Sequence, residues 1–159
     1  VVYVQLGAGR INDIDSDLRR VVDALLAHED VHVVLGESML GERLEMDLER
    51  VHLVRDYPNA LYLKAFDASV QAGGYNSFHE VRSVGLPTLF LPNMNTGMDD
   101  QLARCKVAEV EGWGHVQSGQ TLSADIQRLI DMQRTVPPES PALNGATELG
   151  MSMLRSHQR

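Results

Sequence analysis

Short apolar runs rich in β-branched residues alternate with helix-patterned segments, and this alternation restricts the fold more than any other feature of the chain. The runs lie at residues 1–6, 31–35, 51–54, 67–71, 88–91 and, more weakly, 115–117. Most have consecutive apolar positions closed by Gly or Pro, the pattern of strands buried on both faces. Between them, Leu18, Val21, Val22, Leu25 and Leu26 keep helical spacing, as do Ile126, Leu129 and Ile130. Asn12 or Asp13 can cap the first helix, Asp99 or Asp100 one running to Val110, and Ser123 a later one. Short helices are expected over 40–49 and 60–66, another from residue 75 to about Gly85, and a last one over 142–154. Strands and helices in alternation predict an α/β, Rossmann-like fold: a parallel sheet of about six strands, order 3-2-1-4-5-6, with helices on both faces. Residues 1–134 form the expected domain, and 135–159 a proline-containing linker and C-terminal helix.

That strand order makes the first and fourth strands neighbours, and both end in glycine. Gly7-Ala8-Gly9 follows the first, and Gly73-Gly74 follows the fourth, just before a helix start. Glycines there let the chain turn tightly and leave amide groups uncovered. The first helical turn adds unpaired N–H groups and the positive end of the dipole, which together suit a phosphate. Ser77 and Glu80 also stand in the S-x-x-E spacing of a capping box, so these residues alone permit either a phosphate site or a well-capped helix. The convergence of two glycine loops at the point where the strand order reverses favours a phosphate-containing ligand.

Composition excludes some partners. With 159 residues, a 43% hydrophobic share and a mean hydropathy of -0.18, the chain has the make-up of one globular domain. A net charge of -8 argues against nucleic-acid backbones and anionic membranes. Cys105 is the single cysteine, and no signal peptide or membrane-length apolar run is present, which suits a reducing, cytoplasmic setting. A nicotinamide dinucleotide site would want a third glycine where Asn12 stands, with Glu37 for the ribose. The Walker A pattern and the G-x-S-x-G elbow do not occur, and the histidines lack metal-ligand spacing, so no metal is expected.

Gly74-Tyr75-Asn76-Ser77 with Glu80, then Gly85-Leu86-Pro87 leading into a strand, then Asp100-Gln101, resembles the C-terminal domain of a GT-B fold glycosyltransferase. The segment is similar to the peptidoglycan N-acetylglucosaminyltransferase and UDP-glycosyltransferase families. The resemblance implies a nucleotide-sugar donor, a UDP-sugar, and no cofactor. Gly7, Gly9, Gly73, Gly74, Asn76 and Ser77 would hold its diphosphate, Glu80 its ribose, and Asp100 and Gln101 its sugar. The loop with Arg55 and Tyr57 would carry the base, largely through its backbone. Ala72 stands where plant-type enzymes have histidine, and Leu102 where the peptidoglycan family has glutamine, so sugar and acceptor class stay open. The acceptor, the catalytic residues and hexosyl transfer itself are expected to depend on an N-terminal domain outside this sequence, leaving this segment inactive by itself. A sugar-nucleotide epimerase, an NAD-binding domain and a non-catalytic binding module are the alternatives.

Overall fold

A computed structural model describes residues 1–7, 14–37, 46–94, 99–119, 121–134 and 155. Six parallel strands form one sheet in the order 3-2-1-4-5-6: β1 (Val2–Gln5), β2 (Val33–Gly36), β3 (Val51–Val54), β4 (Ala68–Gln71), β5 (Thr88–Phe90) and β6 (Gly114–Val116). The helices are α1 (Ile14–Leu26), α2 (Tyr75–Ser83), α3 (Gln101–Glu111) and α4 (Leu122–Asp131), with a 3-10 helix at Asn59–Ala65. In register, Val2 pairs with Ala68 and Gln5 with Gln71, so β1 and β4 end side by side.

Successive strand residues face opposite sides of the sheet, and each side buries its own cluster. Val4, Val33, Val70 and Leu89 pack with Leu25 of α1 and Ile126 of α4. Tyr3, Phe66, Phe90 and Trp113 pack on the other side with Phe78 of α2 and Cys105 of α3. A buried side chain of this size contributes about 1.5–3 kcal/mol relative to leaving it exposed, so each helix is held chiefly by the face it presents to the sheet. Arg50, at φ 68, donates to the carbonyls of Leu26, His28, Glu29 and Val31 and thereby closes the C-terminal end of α1.

Several boundaries differ from expectation. Thr121, not Ser123, caps α4, its side chain accepting from the Ala124 N–H. The segment after the cis Tyr57-Pro58 bond is a 3-10 helix. The fourth strand begins at Ala68 and the sixth at Gly114. The helix expected over 40–49 falls mainly outside the described residues, and its described end, 46–48, is not helical. Asn12, Asp13, Gly9 and the helix expected over 142–154 also lie outside them.

Candidate functional site

The adjacency of β1 and β4 brings Gly7 and the Gly73–Gly74 turn to neighbouring strand ends, and Ala72 N–H donates to Gln5 C=O across them. Gly7 and Gly73 have positive φ, 100° and 83°, which glycine adopts without a Cβ penalty. Gly74 is the N-cap of α2, and no side chain caps the helix. The capping box that the spacing of Ser77 and Glu80 permits is therefore not formed: Ser77 is the third helical residue, too far in to cap. An uncapped first turn presents the N–H groups of Tyr75, Asn76 and Ser77 without intrahelical acceptors. Glu80 stands one turn beyond Asn76, half-buried, and no described residue hydrogen-bonds its carboxylate. Its nearby charge adds to burial in pushing the Tyr3 hydroxyl up to about 12.

Beside this turn lies a polar network that sequence reasoning reached only in part. Glu37, 7% exposed, accepts from Arg55 Nε at 2.9 Å. Its backbone carbonyl accepts from the Tyr57 hydroxyl at 2.6 Å and from Asn59 Nδ2 at 3.3 Å. Asn59 also donates to the Tyr3 hydroxyl, which donates in turn to Gln5. Gly36 makes room for this, since a Cβ there would fall 2.0 Å from the Tyr3 oxygen. The side chains of Arg55 and Tyr57 thus tie the loops after β2 and β3 together. Glu37, the residue a dinucleotide site would need for ribose, is committed to that tie.

The third group of expected residues opens α3. Asp100 is its N-cap and accepts from Ala103 N–H at 2.9 Å. Gln101 is nearly buried, and its Oε1 accepts from Asn93 N–H, fixing the loop after β5. Asp99 pairs with Arg104, whose hydrogen bond holds the Asp99 carboxyl below the usual range. Arg104 also donates to Gly73 C=O at 2.9 Å, a link across 31 residues of chain. Cys105 packs beneath Gly73, and burial pushes its thiol up to about 12, the state of a packing residue rather than a nucleophile. A cavity of about 310 Å³ opens on the same sheet edge between Leu6, Ala72, Leu91, Asn93 and Leu102. Among the described residues no group of three His, Cys, Asp or Glu side chains could hold a metal. No described helix is long and apolar enough to cross a membrane.

The strand order thus puts Gly7 and the Gly73–Gly74 turn at adjacent strand ends, with Asn76, Ser77 and Glu80 on the helix that follows, Arg55 and Tyr57 on the loop after β3, and Asp100 and Gln101 at the start of α3. An open helix terminus, two glycine turns and a carboxylate without a hydrogen-bond partner among the described residues can receive an anion and a polyhydroxylated group next to it. No family model and no curated protein matches the chain. Solved glycosyltransferases do. The chain is similar to the glycosyltransferase of kitacinnamycin at 21% identity and TM-score 0.65, over 98% of this chain and 38% of that one. It is similar to SnogD from Streptomyces nogalater at 22% identity and TM-score 0.63, over 82% and 34%. The spinosyn rhamnosyltransferase SpnG complexed with thymidine diphosphate matches at 19% identity and TM-score 0.63, over 81% and 36%. The chain has the fold of GT-B glycosyltransferases over that portion, and it spans 34–38% of the length of these three proteins.

Proposed function

We propose that this chain is the donor-binding part of a glycosyltransferase and holds a nucleoside diphosphate sugar with a pyrimidine base. A UDP-sugar is the donor implied by the sequence resemblance, and the nucleotide in the SpnG complex is thymidine diphosphate. The carrying observation is the start of α2, uncapped among the described residues and beside the end of β1, with no described partner for the Glu80 carboxylate one turn on. In this reading Gly7, Gly9, Gly73, Gly74, Asn76 and Ser77 surround the diphosphate, and Glu80 accepts from the ribose hydroxyls. Helix-end N–H groups stabilise the charge that grows on the departing nucleotide, and no metal is needed for that role. The base lies along the backbone of 55–57, where the Arg55 and Tyr57 side chains are turned onto Glu37. The sugar lies toward Asp100 and Gln101. There Asp100 keeps its cap while offering an exposed carboxylate. A hexosyl group then passes to an acceptor held mainly by a partner domain on the N-terminal side.

Calorimetric titration with UDP, dTDP and NADH tests this. One pyrimidine nucleotide binds and NADH does not, and Glu80→Ala weakens the nucleotide at least tenfold. Hydrogen bonds to a charged group are worth about 1.5–3 kcal/mol, which sets that scale. Binding of NADH with both pyrimidine nucleotides silent would replace this reading with the dinucleotide one.

A further inference from the structure

Gly73 and Gly74 share one peptide plane. In a trans peptide the carbonyl of the first residue and the N–H of the second point in opposite directions. Whatever holds Gly73 C=O therefore aims Gly74 N–H, the donor at the tip of the turn. Arg104 holds it, from the second turn of α3, with Nη1 2.9 Å from the carbonyl oxygen. The same guanidinium is anchored by Asp99, through Nη2 to Oδ1 and Nη1 to Oδ2 at 3.4 Å. Its central carbon lies 5.4 Å from the centre of the Tyr75 ring, the first residue of α2. The side chain is 18% exposed, and contacts to two loops and to the first residue of α2 fix it in place. Cys105, the next residue, adds a steric limit, because a Cβ on Gly73 would fall 2.2 Å from its sulfur. Two consecutive residues of α3 thus hold Gly73, one by its carbonyl and one by its Cα.

We propose that Arg104, anchored by Asp99, is a positioning residue that presets the Gly73–Gly74 turn for the donor diphosphate. The proposal rests on the donor-binding reading and adds a residue to it. Charge attraction is the competing role for an arginine beside an anion. Asp99 decides between them: a guanidinium already paired with a carboxylate offers geometry more than net charge. Lysine cannot reproduce this arrangement, because its ammonium lacks the planar fork that reaches a carbonyl and a carboxylate together.

The test is titration of the protein with UDP and dTDP in wild type, Arg104→Lys, Arg104→Met, Asp99→Asn and the control Glu111→Gln. Glu111 pairs with Arg82 at the far end of α3, so its variant reports any general loosening of the helix. Positioning predicts that Arg104→Lys and Asp99→Asn each weaken nucleotide binding at least fivefold, with Glu111→Gln within twofold of wild type. It also predicts faster amide exchange across 73–77 in the ligand-free Asp99→Asn protein. If Arg104→Lys binds like wild type, or Asp99→Asn binds more tightly, the guanidinium acts as a charge and the positioning role is overturned. If wild type binds neither nucleotide, the donor reading fails and takes this proposal with it.

Discussion

His115, on β6, is fully buried, with Nε2 3.1 Å from the carbonyl oxygen of Asp125 in α4. A carbonyl only accepts, so Nε2 carries a proton. Burial is the main cause that holds His115 below the ordinary histidine value, with Arg128 adding to it. The unfolded chain then takes up a proton near pH 6.5 that the native state refuses, so stability present above that pH is lost as pH falls below it. One such group changes stability by at most about 1.4 kcal/mol per pH unit. Urea unfolding at pH 7.5 and 5.5 should show a larger acid loss in wild type than in His115→Gln; parallel losses would remove His115 from the account. At this scale the sequence was legible only where chemistry is local. Ser77 and Glu80 carried two meanings in their spacing, and only the position of Gly74 at the helix start removes the capping one. Asp99 and Asp100 were interchangeable as caps on paper, and the structure divides them into an ion-pair partner and a cap. Arg104 gave no local signal, because the carbonyl it binds lies 31 residues away.

The turn between β4 and α2 makes a separable pair of predictions. At Gly73, φ is positive and Cys105 Sγ blocks a Cβ, so Gly73→Ala should lower stability by about 1–2 kcal/mol or more. At Gly74, φ is -55° and nothing lies within 4 Å of an added methyl group, so Gly74→Ala should stay within about 0.5 kcal/mol of wild type. The methyl would still cover the open turn, and nucleotide binding should weaken in both. Chemical denaturation and titration of the two variants separate folding from binding; equal stability of both alanine variants would contradict the turn geometry. Element identity was legible from apolar spacing, while ends were not. Thr121 and Ser123 are both competent caps, and where β6 releases the chain decides between them. Pro58 likewise marked a boundary, and the short helix expected after it is there, but its 3-10 winding was not legible.

Across the whole molecule, the central strands β1 and β4 are buried almost throughout, whereas every residue of the edge strand β3 is at least partly exposed. Native-state hydrogen exchange should therefore be slowest in β1 and β4 and distinctly faster in β3; uniform protection across the sheet would count against this ordering. Topology was the most legible level, because alternating strands and helices with right-handed crossovers leave few arrangements open. The adjacency of the two glycine-bearing strand ends in the candidate site followed from it. The site's support from α3 and the tie through Glu37 did not, since both depend on side chains meeting across loops. The pairing of Val2 with Ala68 also has a bearing on synthesis. As the chain leaves the ribosome, β1 can pair with β2, and β2 with β3, early, yet the other edge of β1 has no partner until residue 71 has emerged. For that interval the nascent chain carries a bare, apolar strand edge at what becomes the centre of the sheet, the kind of surface that recruits foreign strands. Chaperone capture of translation intermediates should thus be strongest before β4 emerges and fall once it pairs.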